Sequence, residues 1–231
     1  MSINYSEELG VMQLSDSFFP SGMFATSNGI EKLFLDKKIS TAEELIEIIR
    51  VFIIQQMAPL DVVALANVYE FAKNNDFEKI LEIDEIVHSM KTIKEIRKAS
   101  IRSGIQTLRC IVEIKQDNLL DQYTLAVKEK KAYGTYPVSF AISCMALEIS
   151  KEKSMLMLMY GFVASVVGAA LRLGIIQHFE GQKIIHKLKP IISDAIVQNQ
   201  NRTYHEMWQF APQVDIIQMS HEKMDSKMFI T

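Results

Sequence analysis

This sequence contains little cysteine and no large excess of either basic or acidic residues. Each of these two features excludes a class of protein. The 231 residues include two cysteines, Cys110 and Cys144, which cannot build a disulfide framework and form no CxxC pair. The 25 basic and 28 acidic side chains give a formal charge of −3, whereas a general nucleic-acid binder is usually strongly basic. The near-neutral balance therefore predicts that the protein binds no nucleic acid. Because the first ten residues are polar and carry no signal peptide, we expect a cytosolic protein.

Catalytic and nucleotide-binding motifs are also lacking. The chain contains no GxxxxGKS/T loop for phosphate, no GxSxG or GxGxxG motif and no His-Arg-Asp set. His178 and His186 stand too far apart to share a metal without a third ligand, and no second histidine follows His221 at HExxH spacing. The residues therefore predict no metal site and favour binding over catalysis. A helical enzyme with a scattered site, such as a distant pair of carboxylates, is the alternative.

Glycine and proline are infrequent, with nine and five copies, and helical patterns fill the segments between them. Strand-like alternation is rare, so we predict an all-α fold. One amphipathic stripe repeats at three- and four-residue steps, through Phe77, Ile80, Ile83, Val87 and Met90. Since no linker, repeat or low-complexity tract divides the chain, we predict a single domain over residues 1–231, built as a multi-helix bundle.

The most apolar segment lies between Ser154 and Leu171 and carries no charge over 18 residues. That length is near the lower limit for crossing a bilayer, roughly 17–25 residues. Because serines and glycines lower its hydrophobicity, we interpret Met155–Leu173 as the buried central helix of the bundle. A peripheral membrane protein is the alternative. Gly161 and Ser165 belong to a strip of small residues that predicts close approach of another helix.

One predicted helix carries a stripe of basic side chains at helical spacing, formed by Lys91, Lys94, Arg97, Lys98, Arg102 and Arg109. A solvated helix face is the ordinary interpretation of such a stripe, and a docking surface for an acidic partner is the alternative. Small residues in the same helix, among them Ser103, Gly104 and Thr107, suggest that its other face lies close against a neighbouring helix.

Five sequence blocks that occur in one order give the most specific signal. The first, residues 14–31, reads LSDSFFPSGMFATSNGIE and places a Pro-x-Gly turn between apolar flanks. The others are RKASIRSG at 97–104, PVSF at 137–140, a segment from 161 to 182 that contains ALRLG, and APQVDI, MSHE and SKMF within 211–229. Together they resemble the UreF family of urease accessory proteins over residues 9–231.

The resemblance implies an all-helical protein that forms homodimers and catalyses no reaction itself. It implies a subunit that bridges a UreD/UreH-type accessory protein and the UreG-type GTPase, so that the assembly delivers nickel to apo-urease. It also implies that nickel is handled by the complex, with no cofactor assigned to this chain and no role for a membrane.

Candidate partner-binding residues follow from the same resemblance. The set is Glu31, Arg97, Arg102, Arg172, Gln177, His221, Glu222, Lys227 and Phe229. Glu31 and Arg172 match family charges linked to partner contact. A capping or solvated carboxylate is the ordinary alternative for Glu31, and a charge that complements the helix dipole is the alternative for Arg172. The apolar tail over residues 219–231 is expected to dock on the UreD/UreH-type partner rather than on its own core.

Overall fold

The computed structural model describes residues 5–231, apart from the side chain of Phe24, so residues 1–4 of the predicted domain and polar start lie outside the described residues. The helices are α1 (Ser6–Ser15), α2 (Ile30–Leu35), α3 (Ala42–Phe52), α4 (Val63–Lys73), α5 (Phe77–Met90), α6 (Lys94–Val112), α7 (Asn118–Lys128), α8 (Tyr136–Ala146), α9 (Lys151–Arg172), α10 (His178–Asn199) and α11 (Pro212–Glu222). No strand occurs among the described residues, which confirms the all-α class. The assignment of one domain stays a prediction.

A π-helical segment, Ile53–Val62, joins α3 and α4 into one continuous helix. The helix begins as the sequence predicts, because the Thr41 side chain accepts a hydrogen bond from the Glu44 amide in a capping box. The sequence also predicts a break at Pro59, and this is wrong. The wider turn of the π-helix accommodates a residue that has no N–H and whose ring would clash in a regular α-helix.

The central helix predicted at Met155–Leu173 is α9, and it begins four residues earlier than expected, at Lys151. It contacts α1, α2, α4, α8, α10 and the π-helical segment, so it lies at the centre of the bundle. Its buried face includes Phe162, whose ring meets that of Phe52 edge-on at a centroid distance of 5.5 Å. Burial of this face removes a large apolar area from water and is the main stabilising contribution of the helix.

Among the described glycines, the tightest contact is at Gly104 on α6 rather than at a glycine of α9. A Cβ added at Gly104 would lie 2.1 Å from the carbonyl oxygen of Gly134, just before α8, which confirms the predicted close contact on that face of α6. A Cβ added at Gly161 or Gly168 would meet no described atom within 4 Å. The close approach predicted along the small residues of α9 is therefore wrong at these glycines.

Two helices pass a test for crossing a bilayer that considers only length and apolar composition. They are the continuous α3–α4 helix and α9, and 67% and 61% of their most apolar stretches are buried inside the protein. Core helices of soluble proteins pass the same test, so it is weak evidence for a membrane span.

Candidate partner-binding site

The N-terminal motif packs against α11 through Gly29. This residue has a φ of +92° and directly precedes α2, and an added Cβ would lie 3.2 Å from side-chain atoms of both Ile217 and Gln218. Only glycine adopts this backbone conformation without strain while also allowing so close an approach. The next residues, Ile30 and Glu31, are consequently held against the C-terminal part of the chain.

Glu31 is nearly buried, with 4% of its surface exposed, and it is surrounded by donors from the tail. Its carboxylate accepts hydrogen bonds from the amides of Met228 (2.7 Å) and Phe229 (3.1 Å), and it lies 3.0 Å from Nε2 of His221. Burial alone would raise the pKa of Glu31, but these hydrogen bonds outweigh burial and lower the pKa below its ordinary value. Glu31 is therefore a charged anchor for the tail.

His221 is fully buried and joins two carboxylates from different helices. While Nε2 faces Glu31, Nδ1 lies 2.8 Å from Glu95 on α6, and the other oxygen of Glu95 lies 2.7 Å from Nζ of Lys227. A neutral imidazole has one donor and one acceptor nitrogen, so only the doubly protonated ring can donate to both carboxylates. We call Glu31, His221 and Glu95 the clasp.

Beyond the clasp, the tail runs along the N-terminal motif. The Ile230 amide donates to the carbonyl of Ala25 at 2.9 Å, and the Ser27 amide donates to the carbonyl of Thr231 at 2.8 Å. Phe229 is 3% exposed, and this side chain is buried inside the protein. The tail was expected to dock on a partner in preference to its own core, whereas the structure has it docked on its own core. Partner binding by the tail stays a prediction.

Comparison with known proteins identifies the family. The UreF family model matches residues 39–189. The urease accessory protein UreF of Trichodesmium erythraeum (strain IMS101) is 31% identical over 224 residues, covering 97% of both chains. UreF of Bacillus sp. (strain TB-90) is 29% identical, covering 96% of this chain and 98% of its own, and UreF of Ureaplasma urealyticum serovar 10 is 27% identical, covering 100% and 99%.

The chain belongs to the UreF family. UreF proteins are urease accessory proteins and not enzymes, which confirms the predictions of an accessory role and of no catalysis. The enzyme alternative is thereby set aside. The family model stops at residue 189, so the clasp's His221 and the tail lie beyond the matched segment, whereas the Trichodesmium relative aligns over nearly the whole length.

Arg172, at the end of α9, contacts the tail at Phe229. Its Nε donates to the carbonyl of Gly168 at 3.1 Å, and its guanidinium lies 4.4 Å from the centre of the Phe229 ring. Burial lowers the pKa of Arg172, although a guanidinium keeps its charge at neutral pH. The residue thus interacts with the C-terminal carbonyls of its helix, as the dipole alternative expected, and also packs on the tail.

The remaining UreF-based candidates divide into those at the clasp and those elsewhere. Glu222 lies at the rim, where its carboxylate is 3.5 Å from Nζ of Lys94. Arg97 donates to the carbonyl of Lys91, and Arg102 is exposed on α6. Gln177 forms a capping box with Glu180 at the start of α10, which gives it a structural role. The structure therefore brings together Glu31, Arg172, His221, Glu222, Lys227 and Phe229, and places Arg97, Arg102 and Gln177 outside this cluster.

An ion pair that the sequence analysis did not predict lies in the interior. Asp61 forms a buried ion pair with Lys91 at 2.9 Å, beside a cavity of about 90 Å³ that Asp215 also lines. Burial raises the pKa of Asp61, and the attraction of Lys91 opposes that shift without cancelling it. Since Lys91 is buried, it does not belong to the exposed basic stripe of α6. Exposed members of the stripe include Lys98, Arg102 and Arg109.

Among residues 5–231, no group of three or more histidine, cysteine, aspartate or glutamate side chains is placed to hold a metal ion. The clasp supplies one imidazole and two carboxylates, but both ring nitrogens already face those carboxylates. Its geometry fits a hydrogen-bonded cluster that positions the tail.

Proposed function

We propose that this protein holds a UreD/UreH-type accessory protein and a UreG-type GTPase together while nickel is delivered to apo-urease. Family membership supports the role in urease maturation. The observation that supports a bridging role is the joint surface of the N-terminal motif and the tail, which the clasp assembles from opposite ends of the chain. Along this surface Met228 and Ile230 are 66% and 45% exposed, although both are apolar.

This joint surface is the proposed contact for the UreD/UreH-type protein. Apolar side chains held outward on a fixed backbone provide area that a partner can bury, and the surrounding charges provide specificity. Met228 and Ile230 are held outward because the backbone between them is hydrogen-bonded to Glu31 and Ala25. The clasp thus orders the surface in advance and reduces the entropy that binding must overcome.

The exposed basic side chains of α6 provide a second proposed surface, for an acidic partner. Lys98 and Arg102 are one helical turn apart, and Arg109 continues the stripe two turns later. A cluster of side chains with the same sign of charge attracts an oppositely charged partner and mainly affects the rate of association. Self-association as a dimer, a cytosolic location and handling of nickel by the complex are further proposals that rest on the family.

The test of the joint surface uses co-purification with a tagged UreD/UreH-type protein. Deletion of residues 222–231 removes the part of the tail that follows His221, and we expect the chain to remain helical by circular dichroism but to lose co-purification. A point variant, Met228→Asp, tests the same surface without removing the clasp and is expected to weaken binding. The matched control is Leu125→Asp, which changes an exposed apolar residue on α7. Undiminished co-purification of both tail variants would refute the proposed contact.

A further inference from the structure

We propose that the clasp is a proton-operated latch, in which the doubly protonated ring of His221 holds the tail closed on the N-terminal motif and loss of one ring proton releases it. The inference concerns the isolated chain and does not depend on the proposed partners. It starts from the position of a fully buried imidazole with a carboxylate at each nitrogen, at 2.8 and 3.0 Å.

Neither carboxylate can turn away from the ring without losing a contact to the tail. The Glu31 oxygen that faces the ring, Oε2, also accepts the Phe229 amide, while Oε1 accepts the Met228 amide. Glu95 is paired with Lys227. If His221 lost a proton, one ring nitrogen would present a lone pair to a carboxylate oxygen at hydrogen-bond distance. Two facing acceptors repel each other, and a buried acceptor without a donor destabilises the state that contains it.

The ring is in direct contact with two negative groups, and a protonated ring attracts both of them. The groups that face or flank it are Glu31 from α2, Glu95 and Lys94 from α6, Glu222 and Lys227 from the C-terminal segment, and Arg172 from α9, which lies over Phe229. Glu222 and Lys94 neutralise each other at the rim. Lys227 is exposed and pairs with Glu95, whereas Glu31 and His221 are buried against each other, so deprotonation of the ring removes the positive charge that lies between the two carboxylates.

The tail is the element that can respond. The helix α11 ends at Glu222, directly after His221, and the following residues are held by hydrogen bonds to Glu31, Ala25 and Ser27. Opening after the end of α11 would leave His221 on its helix but remove the Phe229 amide from the Glu31 oxygen that faces the ring, so that water could reach this contact without disturbing α9. Because the closed state binds one more proton than the open state, raising the pH favours opening.

Amide hydrogen exchange in the full chain tests the latch. Exchange of the Met228, Phe229 and Ile230 amides is followed between about pH 6 and about pH 8.5, a range that spans imidazole titration, and each rate is divided by the intrinsic rate at that pH. We expect the corrected opening of these amides to increase with pH, while amides in the middle of α9 stay unchanged. His186→Gln, which alters an exposed histidine on α10, is expected to keep this pH dependence.

Two clasp variants separate the latch from a merely structural contact. His221→Gln removes the titrating group, so the tail should be open at every pH and the slope should vanish. Glu95→Gln supplies an amide that satisfies a neutral ring, so the tail should stay closed and the slope should be flattened. Corrected exchange that does not change with pH in the unaltered protein, or a full slope in either clasp variant, would overturn the proposal. If the His221→Gln variant fails to fold, as judged by loss of its helical circular dichroism, the exchange slope of Glu95→Gln alone tests the latch.

Discussion

The carboxylate of Glu31 lies 3.0 Å from Nε2 of His221, although 190 residues separate them in the chain. This contact joins the N-terminal motif to the C-terminal segment at a site where both side chains are buried. Two of the five sequence blocks that resemble the family therefore form one structural unit. Their shared surface, rather than either block alone, is the feature on which a partner would act.

Loss of the Glu31 carboxylate should destabilise the protein. Glu31→Ala leaves the amides of Met228 and Phe229 and the ring of His221 without their acceptor, so we expect the free energy of unfolding to fall by about 3 kcal/mol. Urea denaturation measures this change. Glu47→Ala is the matched control, because Glu47 is exposed on α3 and forms only a surface pair with Arg50. Equal stability of the two variants would show that the anchor contributes nothing.

Two glycine-to-alanine variants should change stability in opposite directions. Gly104→Ala forces a Cβ onto the Gly134 carbonyl and separates α6 from α8, and we expect a loss of about 3 kcal/mol. Gly168→Ala adds a methyl group where no described atom lies within 4 Å, and we expect a gain of about 0.5–1 kcal/mol from helix propensity. Thermal unfolding distinguishes them. A destabilised Gly168→Ala variant would mean that this face of α9 is covered.

The Asp61–Lys91 pair should give a pH-dependent effect. Lys91→Met leaves Asp61 buried without a cation, and we expect a loss of about 3–5 kcal/mol near neutral pH. Burial raises the pKa of Asp61, so the folded state binds more protons than the unfolded state and stability falls as the pH rises through that pKa. The defect of Lys91→Met should consequently be smaller at about pH 5 than at about pH 8, by urea denaturation.

The double variant Asp61→Leu with Lys91→Met is the control for this pair. It removes both charges together, so it should recover most of the stability and lose the pH dependence. A defect in Lys91→Met that is the same at both pH values would contradict the assignment of the effect to an unpaired Asp61.

Charge reversal on α6 should slow association with an acidic partner. We expect Arg102→Glu to lower the association rate of whichever protein binds this face, and the difference should diminish at high salt. Binding kinetics with the UreD/UreH-type protein and with the UreG-type GTPase, measured separately, identify the partner. Lys187→Glu on α10 is the matched control. If both reversals had the same effect on both partners, the stripe would be a solvated face without a docking role.

Residue patterns predicted the helices well where apolar residues repeat at helical spacing. The apolar segment around Met155 and the stripe beginning at Phe77 are helices because their spacing alone places one face inward. Pro59 misled the prediction, since the π-helical turn that accommodates it leaves no local signal. Pro212 occupies the start of α11, where its missing N–H has no cost.

The candidate site could be predicted only in part. The resemblance pointed to Glu31 and His221, but nothing in the sequence distinguished Glu95, which lies 126 residues from the histidine it contacts. An apolar chain end has the same pattern whether it covers its own core or a partner, so self-docking of Phe229 could not be read from residue order. Such contacts depend on how the helices pack, and that information is not local.

The central claim is that this chain brings the UreD/UreH-type protein and the UreG-type GTPase into one complex. The most direct measurement is a three-component pull-down, with the UreD/UreH-type protein tagged and the GTPase retained on the resin measured with and without this chain. We expect the GTPase to be retained only when the chain is present, and to be lost when residues 222–231 are deleted. Retention without the chain, or no retention with it, would contradict the account.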